Sequence, residues 1–74
     1  MEELLEILEE VKPGVDFENT TGLVTDGILD SFAIISLVTE IGDELDVEIP
    51  VEEIVTENFD SAEAILALIN RLSE

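Results

Sequence analysis

Residues 30–45 read DSFAIISLVTEIGDEL, and this stretch decides the fold. After the Asp-Ser pair, apolar residues recur at intervals of three and four, which is the spacing of one helix face. They are Ile34, Leu37, Val38, Ile41 and Leu45. Asp30 is a strong N-cap residue because its carboxylate accepts a backbone N–H of the first turn. The pattern predicts a helix that begins at Asp30 and exposes Ser31 in its first turn.

The segment before this helix predicts another helix and a long loop. Residues 2–11 carry apolar side chains at helical spacing, and Pro13-Gly14 then ends the helix. Residues 15–29 show no sustained period and contain several turn-forming residues. A loop this long in a small protein needs anchors. We expect an ordered loop held by its own apolar side chains, which are Val15, Phe17, Leu23, Ile28 and Leu29.

The segment after it predicts a short element and a last helix. Residues 47–50 read VEIP, which favours an extended link because the residue before proline avoids helical angles. A strand over residues 47–49 is disfavoured, because the sequence offers no partner strand. Residues 51–55 are then predicted to form one helical turn, with Pro50 as its first position. Asp60 and Glu63 have the spacing of a capping box, and an apolar face of Ile65, Leu68, Ile69 and Leu72 follows.

These segments together predict an all-α protein. Three main helices and one short helix form a small bundle, with a long loop between the first and second helices. We expect residues 1–74 to make a single domain, because a chain of this length has room for only one core.

The charge balance restricts the partners. Twenty acidic residues oppose two basic ones, which gives a formal charge of −18. Nucleic acid is excluded as a partner because phosphate contacts require clustered Lys and Arg. Anionic membranes are disfavoured for the same reason, and no apolar run is long enough to insert. Proteins with basic docking faces are favoured, although the acids also serve solubility. A monomer in the cytoplasm is expected.

The side chains needed for catalysis are missing. The sequence has no His, Cys, Tyr or Trp, and neither a phosphate-binding glycine loop nor an EF-hand spacing is present. We therefore expect that the protein is not an enzyme. Ser31 becomes the best candidate for a site on which another enzyme acts, although Asp-Ser is also an ordinary start for a helix. Helix N-termini favour an attached phosphate.

The wider pattern resembles the acyl carrier protein family, which includes the peptidyl and D-alanyl carrier proteins. The resemblance rests on GILDSF at residues 27–32, DVEIP at 46–50 and NFDS at 58–61, and it extends over nearly the whole chain. It implies that a 4′-phosphopantetheine transferase, using magnesium and coenzyme A, modifies Ser31 beside Asp30. It also implies that the thiol of this arm holds an acyl or aminoacyl group as a thioester.

The resemblance further implies where partners bind. The family's motif usually has leucine where this chain has Phe32, and Phe resembles some D-alanyl carrier proteins, which an adenylating ligase loads. Carriers of fatty acid biosynthesis usually have acids where Ser36 and Gly42 stand here. Partner docking is implied for the second helix, at Phe32, Ile35, Ser36, Thr39 and Asp43. A fatty chain between this helix and the following short turn would contact Ile34, Val38 and Ile54, although plain core packing is the favoured interpretation of each of these residues.

Two classes of function remain open at this point. In the first, the chain is an acyl carrier or a D-alanyl or peptidyl type of carrier, and Ser31 is indispensable. In the second, it is an acidic helical module that binds a basic partner without a covalent step, and the acids Asp43 and Glu44 matter while Ser31 does not.

Overall fold

The computed structural model describes residues 2–73, and the elements within that range are helical. The four α-helices are α1 (Glu2–Val11), α2 (Ser31–Leu45), α3 (Thr56–Phe59) and α4 (Ala62–Leu72). A 3-10 turn at Val51–Glu53 lies between α2 and α3. Helix α1 packs against α2 and α4, and α3 packs against α4. The predicted all-α bundle with a long loop between its first two helices is confirmed.

Helix α2 begins where the cap pattern predicts. Asp30 has extended backbone angles, and its carboxylate accepts the N–H of Ala33 at 2.8 Å. The helix ends at Leu45, after which Asp46 takes the left-handed conformation with φ of 55°. Leu37 and Ile41 on its inner face are fully buried. The cap therefore sets the position of Ser31, and the apolar face sets the orientation of α2.

One hydrophobic core joins the helices and the long loop. The loop supplies three buried anchors, and the predicted ordered loop is thus confirmed. Within residues 2–73 no polar or charged residue is buried. The buried residues are Leu4, Ile7, Leu8, Phe17, Leu23, Leu29, Leu37, Ile41, Val47, Ile49, Phe59, Ala62, Ile65, Leu68 and Ile69.

The predicted cap of the last helix was wrong by one residue. Ser61, not Asp60, has the extended backbone of an N-cap, and its hydroxyl accepts the N–H of Ala64 at 3.0 Å. Asp60 has helical angles, and its carboxylate turns instead toward Val24 and Thr25 of the long loop. The carboxylate accepts three hydrogen bonds from this loop, and the Ser61 hydroxyl serves as the cap instead.

The short element also differs from the prediction. Pro50 is extended and precedes the turn, which covers Val51–Glu53 only. The chain then forms α3, which the apolar spacing did not indicate. Its formation follows from tertiary contacts, since Phe59 is fully buried and the Asn58 side chain donates to the Glu53 carbonyl at 2.8 Å. No helix in the described range combines the length and apolar content that crossing a bilayer requires.

Candidate functional site

Ser31 is the first residue of α2, and its side chain is exposed. Within residues 2–73 its hydroxyl forms no hydrogen bond to another residue. The position follows from the local sequence, because the Asp30 cap ends the loop immediately before it. The Ser31 oxygen is therefore accessible to an external reagent.

The backbone around Ser31 offers donors for an anion. The Asp30 carboxylate takes the N–H of Ala33, and the Asp30 carbonyl takes that of Ile34. The N–H groups of Ser31 and Phe32 meet no acceptor in the described part of the chain. They lie at the positive end of the helix dipole, where a negative group is stabilised. A phosphate joined to the Ser31 oxygen would lie beside these two donors.

An open apolar groove of about 550 Å³ runs beside Ser31. One wall is α2 with Ile34 and Ile35, and the opposite wall is the segment from Val51 to Thr56. Val24 of the long loop lines it as well. The full lining is Val24, Ser31, Ile34, Ile35, Val51, Ile54, Val55 and Thr56. A flexible group attached to Ser31 can lie along this groove and shield apolar atoms from water.

Two of the three residues predicted to line an acyl groove meet there. Ile34 and Ile54 line the groove beside Ser31, whereas Val38 lines a second groove of about 450 Å³ with Thr39, Asp43 and the segment after α2. Val38 lies one helical turn beyond Ile34, so it faces the segment that contains Val47 and Ile49. The prediction that all three share one site was wrong.

The residues predicted to bind partners form an exposed row along α2. Phe32 is 79% exposed and Ile35 is 64% exposed, and the two lie three residues apart on the helix. Thr39 and Asp43 continue the row at helical spacing and are exposed. Ser36 follows Phe32 by four residues and so lies on the same face, but it is only partly exposed. Their role in partner binding stays a prediction.

Asp60 binds the long loop, a role that the sequence did not predict. Asp60 accepts the N–H of Val24, the N–H of Thr25 and the Thr25 hydroxyl, each at 2.9 Å. The two hydrogen bonds from Thr25 lower the pKa of the Asp60 carboxyl most, partial burial opposes them, and the Val24 bond adds to the lowering. These partners lie 35 and 36 residues away, so no local pattern identifies them.

The acidic residues do not converge on a metal centre. Within the described residues no group of three or more carboxylates is arranged to hold an ion. The carboxylates instead spread over the helix surfaces, where they make the whole molecule anionic.

Comparison with known proteins adds an independent observation. No protein-family model matches the chain. The chain is 34% identical to proteins named D-alanyl carrier protein from Listeria welshimeri and Listeria monocytogenes, over 96% of this chain and 94% of each relative. A D-alanyl carrier protein from Bacillus cereus is 40% identical over 70% of this chain and 68% of that protein. The similarity to the Listeria proteins therefore covers nearly the whole chain.

Proposed function

Because this chain belongs to the acyl carrier protein family, which includes the peptidyl and D-alanyl carrier proteins, we propose that Ser31 bears its 4′-phosphopantetheine arm. The observation that carries this assignment is the free, exposed Ser31 hydroxyl at the edge of an apolar groove. The whole chain of 74 residues then acts as one carrier domain.

The other serines support the choice of Ser31 by their surroundings. Ser61 caps α4 through its hydroxyl, and the Ser73 hydroxyl donates to the Asn70 carbonyl at 3.3 Å. Ser36 is partly buried on α2. Ser31 is thus exposed, and no other residue of the described range forms a hydrogen bond with its hydroxyl.

The residues around Ser31 fit the attachment chemistry. The Ser31 oxygen forms a bond to phosphorus of coenzyme A while the pyrophosphate bridge breaks. Adenosine 3′,5′-bisphosphate leaves, and the Ser31 proton passes to a base of a separate transferase. The free N–H groups of Ser31 and Phe32 stabilise the phosphodiester charge that remains on the protein. The chain contributes position and electrostatics to this step and no base.

The arm, when attached, supplies a thiol that this cysteine-free chain lacks, and the thiol holds the cargo as a thioester. The apolar walls of the groove, with Ile34 and Ile54, keep water from the attached group between reactions. A tether raises the effective concentration of cargo at each partner's active site. The protein itself catalyses no step in this proposal.

We assign an aminoacyl cargo, and D-alanine in particular. The relatives are D-alanyl carrier proteins by name, and Phe32 replaces the usual leucine as in some members of that branch. Ser36 and Gly42 stand where fatty-acid carriers have acids. An adenylating ligase then loads the thiol, and the formal charge of −18 steers basic docking faces to the carrier. We place these reactions in the cytoplasm, with the protein as a monomer.

Mass spectrometry after co-expression with a promiscuous phosphopantetheinyl transferase tests the assignment. The intact mass of the wild-type protein should rise by one arm, and Ser31→Ala should abolish the increase. Ser73→Ala changes an exposed serine outside the predicted docking residues, is the matched control and should be modified normally. A wild-type protein that stays unmodified beside a modified control carrier would count against a covalent carrier and favour the acidic interaction module.

Loading of the modified protein tests the cargo. A D-alanine-activating ligase with ATP should add one aminoacyl group to the arm, and hydroxylamine should release it because thioesters react with that nucleophile. If a malonyl transferase loads the protein and no amino-acid ligase does, the aminoacyl assignment is wrong while the Ser31 assignment stands.

A further inference from the structure

We propose that Asp60 is a positioning residue, which holds the loop of residues 22–29 so that Ser31 is presented to the modifying enzyme. The inference rests on the proposed function of Ser31 and assigns a role to a residue outside the site. Asp60 does not line the groove beside Ser31 and acts only through the loop.

The contacts between Asp60 and the loop are dense. One carboxylate oxygen of Asp60 accepts the N–H groups of Val24 and Thr25, and the other accepts the Thr25 hydroxyl, all at 2.9 Å. The Asp60 carbonyl accepts the N–H of Leu23, also at 2.9 Å. Three successive loop residues are thus bound to a single residue. Hydrogen bonds to a charged acceptor are stronger than those to a neutral one.

Asp60 is itself held on a rigid base. Phe59 before it is fully buried, and Ala62 shortly after it is 3% exposed. Ser61 between them caps α4 and pairs with Thr21 in an isolated antiparallel bridge. The carboxylate therefore has little freedom to follow the loop if the loop moves.

Hydrogen bonds within the loop of residues 22–29 hold it together, so that fixing Val24 and Thr25 also fixes the rest of the loop. Asp26 donates its N–H to the Gly22 carbonyl at 2.7 Å, and Leu29 donates its N–H to the Leu23 carbonyl at 2.7 Å. Leu23 and Leu29 are both buried. Gly22 takes φ of 68°, and a Cβ added there would lie 2.7 Å from an Asp26 carboxylate oxygen. The loop is therefore a compact unit with its two ends joined.

Two parts of this loop adjoin the site around Ser31. The residue after Leu29 is Asp30, whose cap orients the first turn of α2 and Ser31. Val24, whose N–H is bound by Asp60, lines the groove beside Ser31. A carboxylate at the junction of α3 and α4 thus fixes both the approach to Ser31 and part of the groove wall.

Hydrogen exchange measured by NMR tests the restraint directly, without any modification of the protein. In Asp60→Ala the amides of Val24 and Thr25 should exchange about tenfold faster or more, while those of Leu68 and Ile69 in the core of α4 change far less. Asp60→Asn should restore most of the protection, because its amide oxygen can accept both backbone N–H groups. Asp16→Asn removes the same charge from the long loop and should change neither set, because the Asp16 carboxylate accepts a hydrogen bond from the side chain of Asn19 and makes none to Val24 or Thr25.

Transfer kinetics test the consequence for Ser31. A loop that samples other positions lowers the fraction of competent acceptor, so the KM of the transferase for Asp60→Ala should rise several-fold with kcat nearly unchanged. The assay is run where circular dichroism shows every variant to be folded. We expect the KM to be higher for Asp60→Ala than for Asp60→Asn, and the KM of Asp16→Asn to equal that of wild type.

The outcomes separate the two proposals. Equal acceleration of exchange at all amides would show that Asp60 contributes only to global stability and would overturn its positioning role. A wild-type KM for Asp60→Ala would overturn it too, even with fast exchange at Val24. If the wild-type protein accepts no arm at all, the assignment of Ser31 fails, and with it the proposal that Asp60 serves acceptance of the arm.

Discussion

Replacing Asp30 with alanine should destabilise the protein by a predictable amount. The substitution removes the hydrogen bond from Ala33, which is 2.8 Å long, and leaves that N–H to water. Loss of such a cap costs about 1 kcal/mol. Removal of a negative charge from the positive end of α2 costs roughly a further 0.3–1 kcal/mol at low salt. The two effects together predict a loss of about 1–2 kcal/mol.

That loss is large for a protein of 74 residues. A change of about 1 kcal/mol shifts the Tm of a domain of this size by roughly 4–8 °C. Asp30→Asn separates the two contributions, because the amide oxygen can still accept the N–H of Ala33 while the charge is gone. We expect Asp30→Asn to lie much closer to wild type than to Asp30→Ala.

Urea denaturation followed by circular dichroism, together with thermal melts, measures both variants. The difference between wild type and Asp30→Asn should shrink in high salt because screening weakens the charge term, whereas the cap term should persist. The reasoning is refuted if Asp30→Ala melts with wild type, or if Asp30→Asn is as unstable as Asp30→Ala. Either result would mean that the hydrogen bond to Ala33 does not hold the first turn of α2.

Three further outcomes are expected. The folded-state pKa of Asp60 lies below its ordinary value of 3.8. The charged Asp60 carboxylate therefore stabilises the fold above pH 3.8, and this stabilisation is lost as the pH falls through the lower folded pKa. The Tm, measured from pH 5 downward, should fall less steeply in Asp60→Asn than in wild type. Phe59→Ala removes a fully buried ring and should cost about 3–5 kcal/mol, enough to leave much of the protein unfolded in circular dichroism at 37 °C. Ile35→Ala should change the free energy of unfolding by less than about 0.5 kcal/mol, because the side chain is 64% exposed, and yet should raise the KM of the loading ligase; an unchanged KM would remove Ile35 from the docking surface.

Local signals in the sequence predicted the helices that carry the site. The Asp30 cap and the apolar face of α2 depend on residues within a few positions of one another, and their physical effects act over the same range. The exposure of Ser31 follows from its position immediately after the cap. The same local patterns wrongly predicted Asp60 as the N-cap of α4. Its spacing to Glu63 fits a capping box, and this spacing does not show that distant loop residues offer the carboxylate other donors.

The walls of the groove could not be predicted from local sequence patterns either, because they depend on tertiary contacts. Ile34 and Ile54 line the same groove because the segment from Val51 to Thr56 forms the wall opposite α2. The Val51–Glu53 turn in that wall is held by Asn58 and by the ion pair of Arg71 with Glu53 at 2.8 Å. None of these contacts has a spacing that a helical period reveals. Val38 satisfies the same period as Ile34, and only its tertiary surroundings place it in a different groove.

The amino-acid order alone therefore determined the capped start of α2, the anionic surface, and the lack of His and Cys side chains. The partners of Asp60, the short α3 and the groove beside Ser31 were decided by the folded molecule. The physical reason is distance along the chain: a hydrogen bond between Asp60 and Val24 joins residues 36 positions apart, and it exists only after the core has brought the loop to the α3–α4 junction.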